Sequence, residues 1–331
     1  YNFKQNKNNF ASEGMGLPKP GVLHTIYIMS VSSPKISLAL SYGGAKGLAH
    51  VGVLQVLQER GYEIGRIAGT SAGAIVGAMF AETMDANILE KRFRELIASN
   101  TFQSSALSRF MSQASRNSSF WNQISCRIRE TVALCMAQSK MSLLTSDRYI
   151  QCLEMLIHVR DFSQCHLPFV AVATDITTGQ DMPLCAGSLI QAVLASSSIP
   201  GFFPPVDLDG VLLSDGAICC PVPVKYAHDL EENVLLAVSV PPKIDPQEPI
   251  YNALDLMIRA EEINLSFLCQ AQAANADVII EPDTKDVGWN EMHRLDEMLE
   301  SGRQATLEAL PRIEAAVEDR HPWWRRLKTW H

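Results

Sequence analysis

An α/β fold, with a mostly parallel sheet covered on both faces by helices, is what this sequence predicts, and three observations predict it. Short runs of continuously apolar residues recur along the chain, as buried parallel strands require. Segments with helical spacing separate them, which is the rhythm of a strand–helix–strand architecture. Glycine clusters stand at two of the junctions where an apolar run gives way to a helix.

The elements follow in order. Ile36–Leu40 reads as a strand. The segment Leu48–Arg60 has apolar residues at 48, 51, 54 and 57 on one helical face, with Gly61 as a stop. Ile64–Ala68 is a second short strand and Ala72–Ala81 a helix of small residues. LPFVAVAT (Leu167–Thr174), Val211–Ser214, VLLAVSV (Val234–Val240) and ADVII (Ala276–Ile280) are further buried strands. Tyr251–Asn275 and Arg303–Asp319 are helical, the latter expected to kink at Pro311. From Met84 to Ser146 no strand is predicted, and this stretch is expected to be a helical insertion above the sheet. Residues 1–30 (YNFKQNKNNFASEG and a Pro/Gly stretch) read as a flexible leader or an added extension, with Met29 a candidate native start. Residues 31–320 form the predicted catalytic domain and 321–331 a Trp/Arg-rich tail.

Composition narrows the function. The 331 residues are 47% hydrophobic and 19% charged, enough apolar matter for a sizeable core. A net charge of -8, with no basic tract, argues against nucleic acid as a partner. Eight cysteines show neither CxxC pairs nor zinc-site spacing, so they are expected to be reduced thiols in a cytoplasmic setting, with no metal and no cofactor. No apolar run reaches the length of about 18 residues that a spanning helix needs.

GTSAG (Gly69–Gly73) lies between a predicted strand and a predicted helix, the context in which G-x-S-x-G is a nucleophile elbow. There Gly69 and Gly73 allow a tight turn that lifts Ser71 above the sheet, at a helix N-terminus that favours developing negative charge. The plainer alternative is a turn whose serine caps the helix. A serine nucleophile needs a base. None of the eight histidines sits in a strand-end loop with catalytic company; His50, His228 and His293 all fall in helical patterns. LLSDGA does better: Asp215 follows a strand, Gly216 permits a turn, and a carboxylate at a strand's carboxyl end faces the ligand crevice of an α/β sheet. Burial there would raise its pKa toward that of a general base; a simple Asp-Gly turn is the alternative. In YGGAKG, the sequence Gly43-Gly44-Ala45-Lys46-Gly47 fits neither a dinucleotide loop nor a P-loop. Closely spaced N–H groups at a helix start also make an oxyanion hole, with Gly43, Gly44 and Ala45 as donors and Lys46 steadying the loop or adding positive potential.

GGAKG, GTSAG and DGA, in this order and spacing, resemble the patatin-like phospholipase family, bacterial type. AVATDITTGQ (Ala171–Gln180), ASSSIPGFFPPV (Ala195–Val206), ADVIIEPD (Ala276–Asp283) and GWNEMHRLDEMLESGR (Gly288–Arg303) extend the resemblance over residues 35 to 318. It implies a three-layer α/β/α sandwich and a Ser-Asp dyad acting without histidine. Ser71 stands at the nucleophile's place, Asp215 at the base's, and Gly43, Gly44, Ala45 and Lys46 at the oxyanion loop. Tyr42 replaces a glycine that the family often carries. The implied activity is serine acyl hydrolysis of phospholipids or lysophospholipids through an acyl-enzyme.

Phe202, Phe203 and Pro204, with the 84–146 insertion, are the expected walls of an acyl pocket, core packing being the alternative for the three; Phe110, Met111, Phe120 and Trp121 form either its lid or an ordinary packed helix. Trp323, Trp324, Arg325, Arg326 and Trp330 of the tail suit a peripheral contact with the inner membrane surface. Three other readings stay open: acyl transfer to an alcohol by the same residues, a Ser-His-Asp esterase completed by His228 or His293, and a lipid-binding module without catalysis.

Overall fold

The computed structural model describes residues 34–103, 146–228, 233–246, 249–251, 253–284, 287–288 and 290–320. The leader, the lid residues Phe110, Met111, Phe120 and Trp121, and the Trp/Arg tail lie outside the described residues.

Five parallel strands form the body of an eight-stranded sheet: β1 (Ile36–Leu40), β2 (Ile64–Thr70), β3 (Phe169–Asp175), β7 (Val234–Val238) and β8 (Val278–Ile280), in the order β3-β2-β1-β7-β8. Next to β3 the sheet turns antiparallel. There β4 (Gln180–Leu184) and β6 (Val211–Asp215) both pair with β3, and β5 (Val206–Leu208) pairs with β6. The parallel strands match the apolar runs because they are buried on both faces. The antiparallel strands were not all foreseen, for a reason visible in QDMPL: β4 is short, half-exposed and carries Pro183, so it has no apolar run. The β5–β6 hairpin did have a signal. Asp209 and Gly210 both take positive φ (53° and 83°), as a two-residue hairpin turn needs, and Asp-Gly is its usual sequence.

Period-two alternation divides the core. Ile36, Leu38 and Leu40 face one side, under α1 (Ala49–Glu59), α2 (Ala72–Thr83), α3 (Ala86–Ala98), the short α4 (Asn100–Gln103), α5 (Ser146–Leu156), α6 (Leu189–Ser196) and α9 (Leu295–Arg320). Ala39, Ala68, Val172, Leu235 and Ala237 face the other, under α7 (Val224–Ala227) and α8 (Ala253–Ala273). The sandwich therefore has three layers, with uneven cover. Helix α9 starts eight residues earlier than its spacing suggests and runs on through Pro311.

The start of the predicted insertion is part of the core rather than a cap above it. Leu89, Phe93 and Leu96 of α3 are buried in the main cluster. Arg92, itself nearly buried, forks onto both carboxylate oxygens of Glu82 (2.9 and 3.1 Å) and donates to the Leu156 carbonyl at 2.7 Å. A bidentate, charge-assisted contact of this kind ties α2, α3 and α5 around one space.

Candidate active site

That space is a cavity of about 100 Å³. Its walls come from both glycine turns and from α2, α3 and α5: Gly44 and Ala45, Ser71, Ile75, Phe93 and Leu153 among others.

Sheet register explains why Ser71, which lines the cavity, meets Asp215. Strand β2 runs parallel to β3 and its Thr70 lies opposite Val172; β6 runs antiparallel and its Asp215 lies opposite the next residue, Ala173. The carboxyl ends of two strands thus converge on one point of a third. Gly216 is needed there for space rather than for turning. A Cβ on it would stand 2.1 Å from the Val172 carbonyl oxygen.

Ser71 has φ 53° and ψ -117°, a conformation that L-residues rarely hold. Its side chain makes no capping bond to α2, which removes the capping alternative. Instead Oγ donates to Asp215 Oδ2 at 2.7 Å, and the backbone N–H donates to Ser196 Oγ at 3.0 Å. Ser196 Oγ in turn donates to the Val172 carbonyl at 2.6 Å, so the elbow is pinned to the same point of β3. Ser71 is 6% exposed and Asp215 4%.

Burial pushes the Asp215 carboxyl up from 3.8 to about 6, against the opposing pull of the Ala217 N–H and the Ser71 hydroxyl. The Ala217 N–H lies 2.8 Å from Oδ1, so each carboxylate oxygen has its own donor. A carboxylate with a pKa of about 6 is ionised at neutral pH yet basic enough to take a proton.

The first glycine turn is a 3-10 helix, Gly44–Leu48, entered through Gly43. Gly44 has φ 56°, which explains a glycine there. The first donor that the turn itself uses is the Lys46 N–H, bonded to the Gly43 carbonyl at 3.1 Å. The preceding N–H groups, on Gly44 and Ala45, are those a helix start leaves over, and both residues line the cavity with Ser71. The Lys46 N–H is bonded within the turn, to Gly43, and Lys46 is not in the cavity wall. Burial lowers its pKa, and its charged neighbours are Glu262 and Lys243. Tyr42 turns toward Cys269 in the other core cluster.

Of the three expected pocket residues, Phe203 lines the cavity and Phe202 and Pro204 do not. The Phe203 ring stacks on Tyr149, centroids 4.4 Å apart. Much of the remaining lining comes from α2, α3 and α5, of which α3 lies in the 84–146 stretch expected to wall the pocket. The helical spacing of Leu89, Phe93 and Leu96 was the available signal. His228 and His293 are exposed, and among the described residues no histidine lines the cavity. Among the described residues, no group of three or more His, Cys, Asp or Glu is placed to hold a metal, and no helix is long and apolar enough to cross a membrane.

A family model described as Patatin-like phospholipase matches residues 38–228, more than half of the chain, including both glycine turns, Ser71 and Asp215. The chain belongs to the patatin-like phospholipase family. An uncharacterized NTE family protein of Mycobacterium tuberculosis is 30% identical over 226 residues, 68% of this chain and 53% of that one. Patatin-like phospholipase domain-containing protein 6 of Homo sapiens is 28% identical over 207 residues, 62% of this chain and 13% of that one. Among solved structures, VipD from Legionella pneumophila aligns with 85% of this chain and 67% of its own, at 17% identity and a TM-score of 0.47. This patatin chain spans about half the length of its mycobacterial relative and a smaller share of the human one.

Proposed function

We propose that the protein is a serine acyl hydrolase that cleaves fatty-acyl esters of phospholipids or lysophospholipids. The observation that carries the reading is the 2.7 Å hydrogen bond to a buried Asp215 from the Oγ of Ser71, a residue that lines an apolar cavity.

In this reading Ser71 Oγ attacks the ester carbonyl carbon while its proton passes to Asp215. The carbonyl oxygen, now negative, accepts from the N–H groups of Gly44 and Ala45. Collapse of the tetrahedral intermediate expels the alcohol, which leaves with the proton from Asp215, and the acyl group stays on Ser71. Water then attacks the acyl-enzyme, again giving a proton to Asp215, and the fatty acid departs as Ser71 recovers its own. One carboxylate serves both halves because its pKa lies near 6. The acyl chain lies among Leu48, Ile75, Phe93, Leu153 and Phe203. Membrane lipid as substrate, peripheral contact with the membrane and a cytoplasmic site of action belong to the same reading; the reduced state of the six described cysteines is in keeping with it.

The test uses wild type, Ser71→Ala and Asp215→Asn on a p-nitrophenyl ester and a phospholipid panel, with a fluorophosphonate as covalent label. Ser71→Ala should lose at least about 10³-fold in turnover and all labelling. Labelling that persists in Ser71→Ala would sink the assignment.

A further inference from the structure

The mechanism leaves one buried titratable group unused. His50, in the first turn of α1, is 0% exposed. Its Nε2 lies 2.8 Å from the Ser41 carbonyl oxygen, and its Nδ1 finds no hydrogen-bond partner among the described residues. A carbonyl only accepts, so Nε2 carries the proton and Nδ1 is a bare lone pair. Burial lowers the ring's pKa to about 4, with the Ser41 carbonyl pulling the other way, so the imidazole is neutral at working pH. As plain core filling, a ring with an unpartnered nitrogen is worse than leucine or phenylalanine. What offsets it is the one bond it makes.

That bond falls on the joint between the two glycine turns. Ser41 is the residue after β1, just beyond the last β1–β2 pair, Leu40 with Gly69. Its N–H is taken by Val238, and its hydroxyl donates to the Tyr42 carbonyl and accepts from the Val240 N–H. Its carbonyl would be left buried and unsatisfied without His50. The elbow packs on the same atom: a Cβ on Gly73 would lie 2.6 Å from it. Farther along the turn, a Cβ on Gly47 would meet the Ala72 Cβ, next to Ser71, at 2.4 Å. The chain from Ser41 to His50 is therefore closed on itself by one hydrogen bond while it lies against the elbow.

We propose that His50 is a positioning residue that holds the Gly44–Ala45 N–H groups in register with Ser71 through its bond to the Ser41 carbonyl. This rests on reading the first glycine turn as the oxyanion hole.

The experiment compares His50→Gln, whose amide N–H can take the place of Nε2–H, with His50→Asn, whose shorter amide cannot reach, and with His50→Leu. Turnover of a p-nitrophenyl ester is expressed per fluorophosphonate-titrated site, so that unfolded protein does not count. His50→Asn and His50→Leu should lose about 10- to 100-fold in kcat with KM within about twofold, and His50→Gln should stay within about threefold of wild type. Equal kcat per site in wild type and His50→Asn, or a His50→Gln as impaired as His50→Asn, would overturn the proposal. Where the Asn and Leu variants fail to fold, His50→Gln decides alone: kcat near wild type supports it, and a loss of tenfold or more overturns it. Absence of both turnover and labelling in wild type would refute the hydrolase reading, and this one with it.

Discussion

In the turn after β1 the left-handed backbone sits on a glycine, Gly44, at φ 56°; in the turn after β2 it sits on Ser71, at φ 53°. The difference follows from what each turn presents. The first turn offers N–H groups, which every residue but proline has, so the awkward angle can fall where no Cβ objects. The second must aim a hydroxyl at Asp215, so the awkward angle falls on the residue that carries it. The elbow's own glycines, Gly69 and Gly73, do not have left-handed φ at all. They are there because backbone presses on them: a Cβ on Gly69 would lie 2.2 Å from the Gly73 carbonyl, and one on Gly73 2.1 Å from that of Leu40. Each turn also has a buried ionisable neighbour, and burial moves the two in opposite directions. Asp215 rises to about 6 and His50 falls to about 4.

The largest effect expected from this contrast is on folding. In Gly73→Ala the new methyl meets backbone of β1, which cannot step aside without breaking the sheet at Leu40. The cost should be about 4 kcal/mol or more, in the range of severe core disruption. Gly44→Ala should cost about 1–2 kcal/mol, the strain of one left-handed L-residue. Urea denaturation of both variants checks the ranking. If Gly44→Ala were the more damaging, the two kinds of glycine would have been told apart wrongly.

A smaller effect, and one with a sign, comes from pH. The folded pKa of Asp215, about 6, lies above its ordinary 3.8, so the native state holds this proton more tightly than the unfolded chain does. Stability present below about pH 4 is therefore lost as pH rises through 6, by up to about 3 kcal/mol. Activity should rise over the same window as the base ionises. His50 has the opposite sign: its folded pKa of about 4 lies below 6.5, and stability is lost as pH falls from 6.5 toward 4. The two overlap in wild type, so the measurement is the difference between Asp215→Asn and wild type, in which the His50 contribution cancels. Between pH 4 and pH 8 that difference should move by about 2–3 kcal/mol in favour of the variant. A flat difference would show that Asp215 is not destabilised by burial.

The contrast between the turns also marks where the sequence was legible. Buried strands could be read because continuous apolar runs have few other uses, and Ser71 and Asp215 because each followed such a run. Sequence did not show that Thr70 and Asp215 converge on neighbouring residues of β3. That depends on β6 running antiparallel, and the hairpin producing it was announced only by Asp209-Gly210. The side that the Lys46 side chain takes was not legible, because spacing places a residue in a loop without giving its direction. His50 looked like an ordinary helix residue; its bond to Ser41 closes only when the turn does. Phe93 and Leu153 were readable as core, but which core residues border a cavity is a property of packing, not of pattern.

The smallest effect tests the strain itself. Ser71→Ala and Ser71→Gly both remove Oγ and its bond to Asp215, and both should be inactive. They differ in one methyl on a backbone at φ 53° and ψ -117°. Elsewhere, replacing alanine by glycine costs about 0.5–1 kcal/mol, because the unfolded chain gains freedom. At Ser71 the strain released, about 1–3 kcal/mol, should exceed that cost. Ser71→Gly should thus be the more stable of the two by about 1 kcal/mol, a shift of about 2 °C in Tm for a domain of this size. The ordering matters more than the size, because every other consequence of losing the hydroxyl is common to both variants. If Ser71→Ala melts at the same temperature as Ser71→Gly or higher, the elbow holds its serine without strain. The two turns would then differ in what they present but not in how their backbones are held.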